Sequence, residues 1–343
     1  AGHDQLDGRY RATVDDALEF LLRIQQTSGE LYVDGGLPTG QVTRFYGHGI
    51  ATLALAEAFG MTGDPPLRQP AKRAIAYLAA TQHPERGGWR YAPGVNTDLS
   101  VTGWQLAALR SAQLAGLDVP NETVAEIANC LAACRDIESQ PGLYRYNPWA
   151  LATDPLTRHG RLPSTVMTSV GLVMELQFGA APNDERLRPA AEHLLANLPR
   201  AGEESVAAPI GTLANPERDT YYWYYGTQAM FYLEGDYWQA WSRQLEPLLV
   251  ESEQEAKLAR ELWHLGQSDE ATVKRLIERR PPMMYGDGEQ TRDFTFVEDT
   301  AQAFLDIGLS EKVAFGQAYN GGTGQAVTIG QTVNMIARLS ETN

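Results

Sequence analysis

The chain has 343 residues, of which 43% are hydrophobic and 21% charged, so it can bury one large core or two modest ones. Its formal net charge of -15 argues against nucleic-acid binding, because that activity depends on a basic face that releases counterions. No apolar run reaches the length of about 18 residues that spans a membrane. The first ten residues also lack the apolar core of a signal peptide. We therefore expect a soluble protein without a membrane span; a cytoplasmic location is favoured, although the sequence does not determine the compartment.

The first 250 or so residues repeat a helical pattern roughly every 55 residues. The stretch "ALEFLLRIQ" from Ala17 to Gln25 and the stretch "AIAYLAATQ" from Ala74 to Gln82 share alanine, an aromatic residue, leucine and a final glutamine at matching positions. Weaker copies begin at Asn129, Ala191 and Glu246. These helices keep one charged flank, which is typical of a helix with one solvent-exposed side.

A second class of helix alternates with the first and opens at a glycine. Its members are small and apolar on nearly every side, which indicates burial on both faces. They begin at Gly49, Gly103, Gly171 and Gly226. We therefore predict an inner row of these helices covered by an outer row of the first class, with Leu53, Leu109 and Met230 shielded from bulk water.

The sequence "AIAYLAATQHPERGGW", with Gln82, Gly88 and Trp89, resembles the Gln-Trp motif of the squalene-hopene cyclases. Gln25 and Gly29 match the same motif without its tryptophan. Protein prenyltransferase β subunits share the fold of these cyclases. The resemblance covers about residues 8–255 and implies a mainly α protein with an α-α toroid, in which the glutamine bonds the loop backbone and ties successive hairpins together.

A complete toroid of this family uses about six hairpins, whereas four are visible here. An incomplete ring exposes the apolar flank of its last hairpin. We therefore expect that flank to be covered by a protein partner, by a second copy of the chain or by the C-terminal segment. Whether the ring closes stays open at this stage.

The resemblance implies the toroid fold more strongly than the cyclase reaction. Class II cyclases use an Asp-x-Asp-Asp pattern, whereas "GVNTDLSVTGW" offers Asp98 alone. A single carboxylate with an ordinary pKa of about 4 is too weak an acid to protonate an alkene. The carboxylates of "DDALE", from Asp15 to Glu19, fit a solvated helix flank better than a magnesium site.

Cys130 and Cys134 lie on one face of an outer helix, which is a poor geometry for a disulfide, so we expect two reduced core thiols. The histidines are not spaced with these cysteines as a zinc ligand set would be. The sequence therefore predicts neither a metal nor a cofactor.

Polar and aromatic residues cluster near one end of the inner helices, and this pattern predicts a small-molecule site in the cavity. The alternative is that the aromatic residues fill the ring and that Arg218 and Asp219 cap a helix and pair with each other. The candidate catalytic residues are Asp98, His48 and His159. The candidate ligand-binding residues are Trp89, Arg90, Trp104, Arg161, Arg218, Asp219, Tyr222 and Trp223.

The character of the sequence changes after a helical connector over residues 256–280. Residues 281–343 predict a small α/β segment, with a strand at "DFTFV" and a helix at "VEDTAQAFLDIG". Within it, "YGDGEQTRDFTFVED" and "YNGGTGQAVTI" resemble the C-terminal substrate lobe of the NAD-dependent nucleotide-sugar epimerases and dehydratases, over about residues 281–340.

That second resemblance implies a sugar-nucleotide site. It places Arg292 on the diphosphate, Asp293 at the adjoining turn and Asn320 in the neighbouring loop. The alternative is an ion pair of Arg292 with Asp293 or Asp299. The chain lacks the glycine-rich cofactor turn and any tyrosine followed four residues later by lysine, so we expect no NAD-dependent reaction from this chain alone.

Three functions therefore compete. The first is ligand binding or a scaffold role for the helical repeat. The second is a lyase or transferase reaction on a terpenoid or a carbohydrate in the toroid cavity, and the third is sugar-nucleotide binding by the C-terminal segment. The sequence does not decide whether the protein is an enzyme, or whether the two parts are a natural fusion.

Overall fold

The computed structural model describes residues 4–33, 40–155, 157–202, 213, 219–264, 291–292 and 327–328. The chain divides into two compact units, Ala1–Leu245 and Glu246–Asn343, which are described separately. The helices are α1 (Arg11–Ile24), α2 (Gly40–Thr62), α3 (Pro65–Thr81), α4 (Leu99–Leu114), α5 (Asn121–Cys134), α6 (Thr165–Gln177), α7 (Arg188–Ala196), α8 (Thr220–Leu233) and α9 (Gly235–His264). The predicted mainly α class is confirmed.

The helices of the first unit form two layers. The inner helices α2, α4, α6 and α8 pack against one another in chain order. The outer helix α3 packs against α2 and α4, α5 against α4 and α6, and α7 against α6. Leu109 and Met230 are fully buried and Leu53 is half-buried. This is the layering that the two helix classes predicted.

Three of the inner helices begin with the same capping bond. The side chain of the N-cap residue accepts a hydrogen bond from the backbone N–H three residues later, at 2.9 Å for Asp98, 3.2 Å for Ser164 and 3.0 Å for Asp219. Such a bond satisfies one of the backbone donors that a helix leaves unpaired at its start. The caps fix where the inner helices start, and therefore which side chains lie at that end of the unit.

A glutamine at the end of an outer helix ties two successive repeats together. Gln82 Nε2 donates to the carbonyl of Gly87 in the following loop at 2.8 Å and to the carbonyl of Thr123 in the first turn of α5 at 2.9 Å. Gln25 makes an equivalent pair of bonds one repeat earlier, to the carbonyl of its loop residue Gly29 at 3.3 Å and to the carbonyl of Pro70 in the second turn of α3 at 2.8 Å. These are the backbone hydrogen bonds that the resemblance implies for the two glutamines.

The same loops approach the next outer helix too closely for any side chain. A Cβ atom on Gly87 would lie 2.0 Å from the carbonyl oxygen of Glu126, and one on Gly29 would lie 2.2 Å from that of Arg73. Both glycines also have a positive φ, +68° and +95°. Only glycine meets both conditions without a shift of the backbone.

The second unit contains the described part of the C-terminal segment. Strand β1 (Thr291–Arg292) pairs with strand β2 (Val327–Thr328) in antiparallel register, with Thr291 opposite Thr328 and Arg292 opposite Val327. The predicted strand at "DFTFV" and the helix that follows it lie outside the described residues. The predicted boundaries at residues 255 and 280 stay predictions. Among the described helices, none has the length and apolar character needed to cross a membrane.

Gly63 and Gly87 have almost the same backbone conformation but different surroundings, so they allow the cost of backbone strain to be measured apart from the cost of a steric clash. Gly63 has φ +67° and an added Cβ would meet nothing within 4 Å, whereas Gly87 has φ +68° and faces Glu126. We expect Gly63→Ala to cost about 1 kcal/mol of unfolding free energy, the cost of the left-handed backbone. Gly87→Ala should cost at least about 2 kcal/mol more, because the loop must also move off α5.

Urea denaturation followed by tryptophan fluorescence measures both variants against the wild type. Equal losses for Gly63→Ala and Gly87→Ala would show that the loop does not lie against α5.

Candidate functional site

Asp98 lies at the centre of a buried group of hydroxyls. Its side chain is fully buried, and Oδ1 accepts hydrogen bonds from Ser100 Oγ and from the backbone N–H of Val101, both at 2.9 Å. Oδ2 accepts from the Tyr146 hydroxyl at 2.9 Å. Residues near the start of α4 and in the loop after α5 therefore converge on one carboxylate.

Two further tyrosines extend this network. The Tyr91 hydroxyl lies 2.7 Å from that of Tyr146, and the Tyr46 hydroxyl lies 2.5 Å from Ser100 Oγ. Because Tyr146 and Ser100 already give their protons to Asp98, Tyr91 and Tyr46 donate to them in turn. We call Asp98, Ser100, Tyr46, Tyr91 and Tyr146 the Asp98 cluster. It consists of two chains of hydroxyls that both point their protons towards the carboxylate.

Burial controls the acidity of this cluster. It raises the pKa of Asp98 to about 6, although the hydrogen bonds from Val101, Tyr146 and Ser100 and the charge of Arg90 act in the opposite direction. The ordinary pKa of about 4 expected from the sequence is therefore wrong, because it assumed a solvated carboxylate without partners. Burial and the nearby Asp98 charge also raise the pKa of Tyr46 and Tyr146.

Arg90 supplies the positive charge beside the cluster. Its Nε lies 3.4 Å from Asp98 Oδ2, and its guanidinium lies over the rings of Tyr91 and Tyr146, 4.8 and 5.7 Å from their centroids. This places a predicted ligand-binding residue beside a predicted catalytic one. The contacts are also those that a buried carboxylate needs in order to stay charged.

His48 is fully buried in α2 and attaches a loop to that helix. Its Nδ1 accepts from the Leu31 backbone N–H at 3.0 Å, so Nε2 carries the proton that faces the Ala74 carbonyl at 3.3 Å. Thr102 and Thr168 accept from loop N–H groups in the same way in α4 and α6, at 3.1 and 3.2 Å. Burial lowers the pKa of His48 to about 4, which keeps the ring neutral. Its contacts are thus those of a structural acceptor.

The other predicted residues before α8 divide between core and surface. Trp89 is buried and its Nε1 donates to the Leu78 carbonyl at 3.1 Å. His159 and Arg161 lie exposed on a short 3-10 helix (Arg158–Arg161). Arg161 donates to two loop carbonyls at 2.8 Å. The structure therefore does not bring His159 into the Asp98 cluster.

At α8 the predicted aromatic residues are mostly core. Tyr222 is fully buried and donates to the Asn197 carbonyl at 2.7 Å, and Trp223 is buried as well. Trp104 is half-buried and stacks on Tyr224, with ring centroids 5.4 Å apart. Arg218, Asp293 and Asn320 lie outside the described residues, and Arg292 is described by its place in β1.

The four inner helices also line a cavity of about 620 Å³, which we call the inner cavity. Side chains from every inner helix contribute, among them Leu53, Glu57, Ala107, Arg110, Leu176 and Tyr224. Tyr224 and Tyr232 at its wall are 45% and 47% exposed, so solvent can enter. The sequence did not predict that these residues line a cavity, and Leu53, which was expected to be shielded from bulk water, lies half-buried at its wall. Lining residues recur three or four positions apart along α2, α4 and α8, and this spacing is the sequence signal that could have identified them.

In the part of the chain that the structure describes, the cysteines and the acidic residues other than Asp98 form no metal site. Cys130 and Cys134 are unbridged and fully buried, so the predicted pair of reduced core thiols is confirmed. Within the described ranges, no three histidine, cysteine, aspartate or glutamate side chains are grouped closely enough to hold a metal ion.

Fold and site together define the first unit as a two-layered helical repeat that contains the buried Asp98 cluster and the open inner cavity. The comparisons with known proteins concern the other unit: the model of the NAD dependent epimerase/dehydratase family matches residues 268–322. The match confirms the epimerase-like character of the C-terminal segment, and it begins inside the predicted connector. Neither the curated proteins nor the solved structures gave a match to this chain.

The pKa values of Asp98 and His48 predict opposite effects of pH on stability. The pKa of Asp98 rises from 3.8 to about 6, so the folded state binds the proton more tightly and this residue destabilises the fold increasingly as pH rises through that window. The pKa of His48 falls from 6.5 to about 4, so the unfolded state binds the proton more tightly and stability is lost as pH falls.

Two variants remove these contributions one at a time. Asp98→Asn keeps an oxygen for the Val101 N–H, and His48→Thr supplies the acceptor that α4 and α6 use. We compare unfolding free energies from urea denaturation between about pH 4 and pH 7. The stability of the wild type relative to Asp98→Asn should fall as pH rises, and its stability relative to His48→Thr should increase. The same trend for both variants would contradict the two assignments.

Proposed function

We propose that the helical unit is a small-molecule-binding protein of the α-α toroid type and that its ligand occupies the inner cavity. The observation that supports this is that all four inner helices line one cavity of about 620 Å³. Ligand pockets commonly measure about 300–1,000 Å³ and combine apolar walls with a few polar groups. The inner cavity has both kinds of wall, with Leu53 and Leu176 among the apolar side chains and Ser111 and Gln228 among the polar ones.

The toroid assignment rests on the repeated attachments between helices. Inner and outer helices alternate along the chain, and glutamines at the ends of α1 and α3 bind the next outer helix as the resemblance to the cyclases implies. The described part of the first unit has four inner helices, so the arrangement corresponds to part of a full ring. A cavity lined by inner helices is the natural place for a ligand in such an arrangement.

The chemistry of Asp98 favours binding over cyclisation. A pKa of about 6 makes its carboxyl a weaker acid than an ordinary aspartic acid, whereas protonation of an alkene needs a much stronger one. The carboxylate also caps α4 and accepts three hydrogen bonds. These contacts explain Asp98 as a structural residue. A lyase or transferase reaction has no comparable support.

The proposal is tested by filling the cavity. Ala107 lines it on α4, and Ala107→Phe should displace a bound ligand with little change in the fold, because the new ring enters empty space. The neutral fluorophore N-phenyl-1-naphthylamine serves as the probe, since its fluorescence increases in an apolar site. We expect Ala107→Phe to weaken binding at least about tenfold, a loss of about 1.4 kcal/mol.

The matched control is Ala76→Phe, which adds the same ring on the exposed side of the outer helix α3. It should bind the probe as the wild type does. Equal binding by Ala107→Phe and the wild type would reject the inner cavity as the ligand site.

A second function is supported by a separate observation in the C-terminal unit. Strand β1 pairs with strand β2 so that Arg292 lies opposite Val327. Val327 comes three residues after Gly324, the last residue of the sequence "NGGTG", so the pairing brings the two epimerase-like motifs close together. The family match spans both Arg292 and the start of that turn. Since an arginine fork suits phosphate oxygens, we propose that this unit binds the diphosphate of a sugar nucleotide through Arg292.

Isothermal titration calorimetry with UDP- and dTDP-sugars tests the second function. Arg292→Gln should reduce the affinity at least about tenfold, because it removes a hydrogen-bonding charge. The control is Arg280→Gln, an arginine of the connector before the motif. If millimolar sugar nucleotide produces no heat with the wild type, the proposal fails.

A further inference from the structure

Arg110 has an unusual environment for a cation in the first unit. It lines the inner cavity from α4, and one terminal guanidinium nitrogen, Nη1, donates to Gln113 Oε1 at 2.8 Å. The guanidinium lies over the ring of Phe178, 5.3 Å from its centroid. The side chain is therefore held from two sides against the wall of the cavity.

No carboxylate neutralises this cation. Arg44, Arg90 and Arg145 each pair with a buried carboxylate, whereas no ion pair joins Arg110 to any acidic side chain in the part of the chain that the structure describes. Its Nε is buried and has no hydrogen-bond partner there, as is also true of the Nε atoms of Arg90 and Arg145. Arg110 differs from those three arginines because it lines the cavity without a carboxylate partner, so an anionic acceptor that enters the cavity can pair with its guanidinium.

We propose that Arg110 binds the anionic group of the ligand, so that the inner cavity takes an organic monoanion with an apolar, partly aromatic body. This inference rests on the proposed ligand site and specifies the class of ligand. A guanidinium offers planar paired donors that match a carboxylate or a sulfonate. The rings of Phe178, Tyr224 and Tyr232, together with Leu53 and Leu176, provide the surface for the body of the ligand.

The charges around the cavity limit the ligand to a single negative charge. Arg110 is the one cation among the described lining residues, and Glu57 adds a negative charge to the same wall. The carboxyl-terminal ends of α4 and α6 also lie at the cavity and carry a partial negative charge. One arginine can offset one anionic group here, whereas a diphosphate would bring further charges that no lining cation neutralises.

Two fluorophores that differ mainly by one anionic group test the inference. N-phenyl-1-naphthylamine is neutral, and 1-anilinonaphthalene-8-sulfonate carries a sulfonate on the same ring system. Both should bind the wild type. We expect Arg110→Gln to weaken binding of the sulfonate about tenfold or more, as the loss of a hydrogen bond to a charged group does, and to change binding of the neutral probe less than about twofold.

Arg23→Gln is the matched control, because Arg23 is an exposed arginine that also lies over an aromatic ring, that of Phe20 at 5.7 Å, but on the outer helix α1. It should bind both probes as the wild type does. Arg110→Lys provides a second variant if Arg110→Gln does not fold, since it keeps the charge but lacks the planar fork. The lysine variant should still lose affinity for the sulfonate and keep its affinity for the neutral probe.

The two proposals fail in different ways. If Ala107→Phe removes neutral-probe binding while the Arg110 variants bind the sulfonate as tightly as the wild type, the cavity binds ligands but the role of Arg110 is refuted. If Ala107→Phe leaves the binding of both probes unchanged, the cavity itself is rejected. Tighter binding of a prenyl diphosphate than of the sulfonate would overturn the single-charge limit.

Discussion

The helical unit depends on hydrogen bonds that satisfy the backbone of the loops between outer and inner helices. These loops run close to the next repeat, where their N–H and carbonyl groups are shielded from water and need partners. Gln25 and Gln82 supply donors to the carbonyls, while His48, Thr102 and Thr168 supply acceptors to the N–H groups. Each bond joins a loop to a helix, either the inner helix that follows it or the next outer helix, so the interactions that satisfy the loops also hold the layers together.

This constraint explains why residues of different chemistry occupy equivalent places. A histidine in α2 performs the task of a threonine in α4 and α6, and burial keeps that histidine neutral so that its ring nitrogen can accept. Asp98 and Ser164 likewise perform the same capping task, although one is an acid and the other a neutral hydroxyl. Chemical reactivity at these positions therefore does not by itself indicate catalysis.

The charged groups of Asp98 and Arg110 have different kinds of partner. In the Asp98 cluster the carboxylate is surrounded by hydroxyl donors and by Arg90, although burial still raises its pKa to about 6. In the inner cavity Arg110 is held in place by neutral partners and forms no ion pair with any described acidic residue. All partners of the first arrangement belong to the chain, so its contacts are structural. The second favours recognition, because the missing partner has to come from outside the chain.

The sequence by itself determined the helical class, the alternation of two helix types, the glutamine ties and the epimerase-like end of the chain. These features can be recognised from local periodicity, from helix caps and from short motifs, none of which depends on contacts between residues distant in sequence. The acidity of Asp98, the structural task of His48 and the inner cavity were decided by tertiary structure alone. Each depends on side chains that are distant in sequence, such as Tyr46 and Tyr146 near Asp98, or Leu53 and Tyr224 around the cavity, and no local pattern predicts that they come together.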